Sequence, residues 1–558
     1  MRLESIEIRD YRSIQSVNMT LPVKKPLVLF GPNNAGKSNI VSAIHVALGE
    51  RWPLNNDLAD SDFYMRDKGK HSEITVRCEF NSTILLSRFK NKNTNRWQER
   101  LLPYFNLKLC SEPSMNRFED DDGIKITPSR GDLSQVSSFL IDATRDISRQ
   151  FSYYSKNSLL SRFAHAIHDS MAPEDKESLT KAFESIQSTF EGLGVYQAFF
   201  ESFQETVEES VKGFTHKLEA DLSAYDPNSF AKSLQIVATE SGSIRSFEEF
   251  GTGEQQILLM AFAKAYVETF SRGSLVLIIE EPEAHLHPLA QRWLKEYVYE
   301  LCDNDRFQVV MTTHSPDFID FDNLEGLVRV SKDAEGHTIA TQLTGEELSN
   351  VCLGMDADPR KSQPGYVGEF YSTHILSDGA KGLFAEHVLL VEGPTEYYTL
   401  PTLFRKMGLS MAREGLEIVL VGGKNSIPSF YRLFKAYGYH CTCLFDADQG
   451  KRDSEKENVE LSRLFDTDII SQMESSDSFI CDNEYAFFVK DYEQFMRSTV
   501  PDYSDRENEF KQEHGKGNKQ GVAKALAMGM STEEIPGAFE QVWNMATNLN
   551  GTVNETTS

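Results

Sequence analysis

Short runs that are almost continuously apolar punctuate this chain: Leu27–Phe30, Leu275–Ile279, Phe307–Met311, His387–Val391 and Cys441–Phe445. Such runs predict strands buried on both faces, as in a parallel sheet. After the first of them, Ile40, Val41, Ile44 and Val46-Ala47-Leu48 return at helical spacing, so residues 27–48 read as strand, loop, helix. Upstream, Ser5-Ile6-Glu7-Ile8 and Ser16-Val17-Asn18-Met19 alternate as two strands, an antiparallel flank to the α/β core. Glu73–Phe80 alternates as another strand, Asn91–Arg96 is a polar loop, Phe105–Leu109 is a strand, and Glu119–Asp122 before Gly123 is a solvated acidic loop. From Ser152 to Leu222 the period becomes helical, through Leu159, Leu160, Phe163, Ile167, Phe183, Ile186 and Phe190. Pro173-Glu174-Asp175 starts a helix there, and Gly192 and Gly194 break the run. This is an inserted helical module, which either pairs with a second copy or packs on its parent domain.

Glu346–Gly379 is polar and poorly patterned, and a second α/β unit begins after it. With 558 residues, two to four domains are expected. The divisions read from the pattern are 1–150 and 226–378 for the first α/β domain, 151–225 for the insertion, 379–545 for the second α/β domain and 546–558 for a disordered tail.

Composition narrows the class. The chain is 40% hydrophobic and 25% charged, as globular proteins are. A net charge of −27 excludes a uniformly basic coat for nucleic acid but not a local basic groove beside acidic metal sites. Seven scattered cysteines without a C-x-x-C pair read as small buried hydrophobes in a reducing cytoplasm. The start, MRLESIEIRDYRSI, alternates like a strand, and no run has the length of a membrane span, so no membrane partner is expected.

The chemistry sits at the ends of the apolar runs. Gly31–Ser38, GPNNAGKS, has the phosphate-loop spacing: Gly31, Asn33, Asn34, Gly36 and Lys37 would surround ATP phosphates, with Lys37 on the terminal ones and Ser38 on Mg²⁺. Leu275–Ile279 ends in Glu280-Glu281-Pro282-Glu283, where Glu280 suits the nucleotide-bound metal and Glu281 the general base. Thr312-Thr313-His314-Ser315-Pro316 would place His314 at the same sheet end. Gly251, Gly253 and Glu254 form a small-residue turn at another helix N-terminus. In the second α/β unit, His387–Val391 ends in Glu392-Gly393-Pro394-Thr395-Glu396, and Cys441–Phe445 ends in Asp446-Ala447-Asp448. Parallel strand tips converge, so four carboxylates would crowd one spot, a charge that divalent metal relieves.

Phosphate loop, glycine-rich turn, acidic strand end and His, in this order over about residues 1–350, resemble the ABC-type ATPase head of SMC and RecF-type proteins. Glu280 stands where most such heads carry Asp, and Gly-Thr-Gly-Glu replaces the usual signature. The E-G-x-x-E and D-x-D elements look like a Toprim domain. Together with LIIEEPEAHLHP, TTHSP and FAEHVLLVEGPTE they resemble the OLD (overcoming lysogenization defect) family of ATPase-nucleases. The resemblance implies an α/β fold: an ABC-type head with an inserted helical module, then a Rossmann-like Toprim domain. It implies nucleotide held between two heads, hence a homodimer or higher oligomer, and a two-metal Mg²⁺ or Mn²⁺ site acting on DNA. Asp491 and Glu493 are the best match for a further acidic pair of that site, and Lys519 for its late Lys, with Lys516 or Lys524 as alternatives. A defence role with a partner protein encoded nearby is implied, and the alternative is a nucleotide-gated sensor that cuts nothing itself.

Overall fold

The computed structural model describes residues 1–141, 159–204, 237–240, 243–246 and 249–547, except 50, 57, 91–96, 134, 196, 199–200, 203, 271–272, 285, 376, 452–453, 477 and 515–517. The expected loop at Asn91–Arg96, the alternative Lys516 and the expected tail from Asn548 lie outside the described residues. Two units are distinguished, Ile141–Ser274 and the rest of the chain.

The larger unit begins with an antiparallel sheet built from β1 (Leu3–Tyr11), β2 (Ile14–Thr20), β4 (Glu73–Lys90), β5 (Trp97–Cys110), β6 (Arg117–Glu119) and β7 (Lys125–Ile126), in the order β2-β1-β4-β5-β6-β7. The loop expected at Glu119–Asp122 is not simply solvated: Asp120 is buried and its carboxylate accepts the backbone N–H of Asp122 (3.1 Å) and Ile124 (2.8 Å), closing the β6–β7 turn.

A mixed sheet lies behind it, in the order β14-β13-β3-β12-β11-β8. Its strands are β3 (Leu27–Phe30), β8 (Val136–Ile141), β11 (Ser274–Glu280), β12 (Phe307–Thr313), β13 (Leu327–Lys332) and β14 (Thr338–Gln342). β3 runs parallel to β12 and β13, and β11 parallel to β12, so the phosphate-loop strand, the acidic strand and the histidine strand end on one edge. The Lys37–Leu48 helix buries Ile40, Val41, Ala43, Ile44, Ala47 and Leu48 in the core that joins the two sheets. Burial on this scale, at ~25 cal/mol per Å² of apolar surface, fixes the strand tips beneath the site.

The polar stretch after Gln342 is better ordered than its pattern suggests. Thr344 and Glu347 form a capping box for the Gly345–Gly354 helix, and Val367, Phe370 and Tyr371 bury one face of the Val367–His374 helix.

The second α/β domain has the sheet β16-β15-β17-β19-β18, made of β15 (His387–Val391), β16 (Leu416–Leu420), β17 (His440–Asp446), β18 (Phe479–Cys481) and β19 (Tyr485–Phe488). All pairs are parallel except β18–β19.

In the smaller unit, the helices Leu159–Ser170, Pro173–Glu191 and Thr252–Phe270 accompany an antiparallel hairpin, Val237–Glu240 with Ser243–Ser246. Phe163 and Phe262 meet edge-on at 5.6 Å, beside buried Leu160, Ala164, Leu259 and Ala263. Among the described residues, no helix is long and apolar enough to cross a membrane. All seven cysteines are free and five are buried; burial pushes those thiols up, Cys302 to about 12, which makes them inert packing groups.

Candidate nucleotide and metal sites

Gly31 and Gly36 both have positive φ, and a Cβ on either would lie 2.1 Å from a neighbour, the Val330 carbonyl and the Thr338 hydroxyl respectively. These glycines therefore serve packing against the β13–β14 hairpin as much as room for phosphate. Thr338 in turn donates to the Ala35 carbonyl at 2.9 Å, pinning the loop. Asn33 and Asn34 are exposed on the loop, and Asn34 is left-handed, with φ of 61°. Lys37 is buried and folds back to donate to the carbonyls of Gly31 (2.9 Å) and Pro32 (2.8 Å). Burial pushes its ammonium down to about 8, against the pull of Glu281 and Glu283. The Ser38 hydroxyl is exposed at the first helical turn.

Glu281 leaves the tip of β11 with φ of 45°, held by its N–H on the Thr312 carbonyl at 3.0 Å. Its carboxylate lies 3.7 Å from Nε2 of His314. Burial and the nearby Lys37 hold the His314 imidazole below its ordinary range, so it is neutral at pH 7. Glu283 reaches the same corner: one oxygen accepts the His314 N–H at 2.5 Å, and the other is buried without a well-formed hydrogen bond among the described residues. Burial raises its carboxyl as well. An orphaned carboxylate oxygen beside Lys37 fits a hydrated divalent cation on a bound nucleotide. Glu280 pairs across the sheet with Thr312 at the end of β11, but Glu281 and Glu283 are the acids whose field Lys37 feels. In the smaller unit, Gly251 and Gly253 open the Thr252–Phe270 helix, and the Glu254 carboxylate accepts the Gly251 N–H at 3.2 Å, bracing its own turn.

In the second α/β domain, Glu392 follows β15, Glu396 lies in the first turn of the Pro394–Lys406 helix, and Asp446 ends β17. One oxygen of Glu392 accepts the Asp446 N–H at 3.1 Å, and Asp446 in turn accepts the Tyr492 N–H at 3.0 Å. Gly393 keeps this corner open, since a Cβ there would sit 3.2 Å from the Glu396 carboxylate. Burial, reinforced by the other acids, raises all three carboxyls: Glu396 to about 7, Asp446 well above its ordinary range, and Glu392 upward. The remaining acids are compensated. Asp448 receives the Lys424 ammonium at 3.2 Å and the Lys451 ammonium at 2.5 Å, which hold its carboxyl low although burial works the other way. Glu493 pairs with Lys519 at 2.6 Å and lies 3.5 Å from the Thr395 hydroxyl. Asp491 caps the Tyr492–Thr499 helix by accepting the Gln494 N–H at 2.8 Å.

A family model described as "AAA ATPase domain" matches residues 1–319, and one described as "Overcoming lysogenization defect protein-like, TOPRIM domain" matches residues 383–448. The chain belongs to the AAA ATPase domain family and carries an OLD-like Toprim domain. It is 25% identical to an OLD nuclease of Thermus scotoductus over 80% of this chain and 82% of that one. It is 25% identical to the Old nuclease of Escherichia phage P2, over 80% and 77%, and 20% identical to the endonuclease GajA of Bacillus cereus, over 76% and 71%.

Within this AAA-family chain, the ATPase domain implies nucleotide and the Toprim domain a divalent metal. The geometry brings Glu392, Glu396, Asp446, Asp448, Glu493 and Lys519 into one cluster, while Asp491 works as a helix cap beside it. Two participants were not picked out from the sequence. Glu283 stands in EEPE two residues beyond Glu281, and its spacing was a usable signal. Lys424 follows two glycines of positive φ and has a side chain only 1% exposed; a Gly-Gly-Lys turn after a buried strand was the corresponding signal.

Proposed function

We propose that the protein is an ATP-hydrolysing, divalent-metal-dependent DNA endonuclease, nicking DNA or cutting both strands, with a role in defence against phage or other invading DNA. The observation that carries the reading is the trio Glu392, Glu396 and Asp446: one buried and two half-buried carboxyls at converging strand tips, none of them in an ion pair among the described residues. An all-oxygen, anionic donor set of this kind suits Mg²⁺ or Mn²⁺. With Asp448 and Glu493 at its flanks, it has donors enough for two ions. Bound metal would supply Lewis acidity and an activated water for phosphodiester hydrolysis.

The chain's own residues complete the site. Glu392 and Asp446 are locked to each other through the Asp446 N–H, so two of the donors move as one. Lys519, half-exposed against Glu493, is placed to face developing negative charge, and Lys424 keeps Asp448 ionised. In the ATPase domain, Lys37 would exchange its loop carbonyls for phosphate oxygens, and Glu281 would take the proton of the attacking water, with neutral His314 beside it. The names of the relatives, nucleases and an endonuclease, support the same reading. A dimer or larger assembly would let Gly251, Gly253 and Glu254 of one copy face the nucleotide of another, and sedimentation with ATP tests it.

Plasmid incubated with Mg²⁺ or Mn²⁺, with and without ATP, should be nicked or linearised. Glu392→Ala and Asp446→Ala should each abolish cutting and leave ATP hydrolysis largely intact. Cutting at the wild-type rate by the double variant would put the acid cluster out of the reaction and favour the nucleotide-gated sensor.

A further inference from the structure

The β13–β14 hairpin closes on the turn Asp333-Ala334-Glu335-Gly336-His337. The Asp333 N–H donates to the His337 carbonyl and the Gly336 N–H to the Asp333 carbonyl, both at 3.0 Å, and Gly336 supplies a positive φ of 87°. So tight a turn brings its polar side chains together: Asp333, Glu335 and His337 each offer a ligand atom, and these atoms lie within 4.8 Å of one another. Asp333 Oδ2 and His337 Nδ1 are 2.9 Å apart. That is also the separation of neighbouring ligand atoms around one ion whose bonds are about 2.0–2.2 Å long.

Acidic turns are common without an ion, and what marks this one is Tyr64. Its ring packs against that of His337, with centroids 5.4 Å apart, and meets His71 edge-on at 4.7 Å. Tyr64 is only 4% exposed, and its hydroxyl is buried without a hydrogen-bond partner among the described residues. Burial, and after it the charges of Asp333, Asp10 and Glu335, push the phenol upward, so the orphaned oxygen faces the carboxylates of the turn. Buried polar groups are seldom left unmet. A water on an ion held by the turn would give Tyr64 its partner, and the ion would offset the carboxylates.

We infer that Asp333, Glu335 and His337 bind Zn²⁺, with the Tyr64 hydroxyl hydrogen-bonded to a water of the ion. The imidazole nitrogen favours Zn²⁺ over Mg²⁺ and Ca²⁺, which take oxygen, and three protein ligands leave a position for that water. On binding, the proton between His337 Nδ1 and Asp333 leaves to solvent. The site shares no residue with the acid cluster of the Toprim domain and does not rest on the endonuclease reading. Its position gives it a consequence for nucleotide. Thr338, next in the chain, donates its N–H to the Ser13 carbonyl at 2.8 Å and its hydroxyl to the Ala35 carbonyl of the phosphate loop at 2.9 Å. The Ser13 hydroxyl accepts from Asn39, in the first turn of the Lys37–Leu48 helix, at 2.7 Å. An ion that fixes the turn therefore steadies the phosphate loop.

Zn²⁺ added to the nucleotide-free full chain tests the site by calorimetry and hydrogen exchange. The wild type should bind one equivalent more than Glu335→Gln or His337→Gln, because every other acid that takes Zn²⁺ is the same in the three chains. Glu335 is exposed on the turn, so its substitution leaves the packing alone. Zn²⁺ should slow exchange of the His337 and Thr338 amides and of the phosphate loop in the wild type, and leave them unchanged in Glu335→Gln. Mg²⁺ should not protect the turn. Tyr64→Phe removes a buried orphan, so it should keep the fold and weaken this site about 10- to 100-fold, the usual effect of losing an outer partner of a metal. Equal Zn²⁺ stoichiometry in the wild type, Glu335→Gln and His337→Gln would overturn the site, as would Zn²⁺ that binds without protecting residues 333–338. Undiminished affinity in Tyr64→Phe would overturn the part given to its hydroxyl.

Discussion

Phe30, the last residue of the phosphate-loop strand, meets Tyr437 of the Toprim domain edge-on, with ring centroids 5.7 Å apart and planes inclined by 74°. Its neighbour across the sheet, Arg329, donates to the carbonyls of Tyr437 (2.9 Å) and Gly438 (3.0 Å) and lies over the Tyr439 ring at 3.7 Å. The strand that ends at the nucleotide loop is thus anchored on the turn that begins β17, whose far end carries Asp446.

Arg329→Met should therefore destabilise the fold by about 1.5–3 kcal/mol, since the buried Tyr437 carbonyl and the partly buried Gly438 bond lose a charged donor. Denaturant unfolding checks the magnitude. The more telling readout is hydrogen exchange: ATP should protect the backbone around Tyr437–Tyr439 in the wild type and do so less in the variant.

Lys37→Ala should abolish tight ATP binding, because the ammonium now held by two loop carbonyls is the group that would face the terminal phosphates. Glu281→Gln should retain ATP and slow hydrolysis by about 10²–10⁴-fold, the usual contribution of a general base. Titration with a fluorescent ATP analogue separates the two, and undiminished hydrolysis in Glu281→Gln would move the base elsewhere, with Glu283 next in line.

These assignments differ in how readily the sequence disclosed them. Strand runs such as Leu275–Ile279 and His387–Val391 are apolar because both faces are buried, and their acidic ends were legible for the same reason: a charge directly after such a run can only sit at a sheet edge. Asp446 and Glu392 were placed together by that logic, and the parallel register of β15 and β17 puts them side by side. What the sequence could not disclose is which acids are already neutralised. Asp448 and Lys424 are separated by the Ile427–Ala436 helix and β17, and only the sheet order brings them into contact. Glu283 lies in the turn beyond β11, where the strand pattern does not say which way a side chain points. The phosphate-loop spacing assigns Gly31 and Gly36 to phosphate, whereas their nearest neighbours are Val330 and Thr338 on a hairpin about three hundred residues away in the chain.

The acid trio gives the metal-free protein a pH dependence of definite sign. Glu396 is pushed up from 4.5 to about 7 in the folded chain, so between those values the folded state holds a proton that the unfolded state has lost. Stability is full below about pH 4.5 and falls as pH rises through 7, and Glu392 and Asp446 act in the same direction. In chelator at pH 8, Glu396→Gln should thus be more stable than the wild type by up to about 3 kcal/mol, following 1.36 kcal/mol per pKa unit. The difference should vanish at pH 4 and reverse when Mn²⁺ is added, because the variant has lost a metal ligand. Thermal unfolding at the two pH values, with and without Mn²⁺, measures all of this.

Lys424 yields the sharpest test of how the cluster divides its charge. Its ammonium is buried between Asp448 and Asn458, at 3.2 and 3.3 Å, and Asn458 is itself fixed by donating to the Ala447 carbonyl at 2.7 Å. Lys424→Met leaves Asp448 facing Glu392 and Asp446 with only the exposed Lys451 to offset it, and breaking a buried pair from one side costs about 3–5 kcal/mol. Removing the acid as well, in Lys424→Met/Asp448→Asn, should return most of that stability, since no uncompensated charge remains. Cleavage should behave differently: the double variant stays inactive or nearly so if Asp448 is a donor to metal, but recovers together with stability if Lys424 and Asp448 are only a structural pair. Melting temperature and plasmid nicking, measured on the same three variants including Asp448→Asn alone, distinguish the two outcomes, and the ion-paired position of Asp448 beside three carboxyls that have no ion pair among the described residues predicts the first.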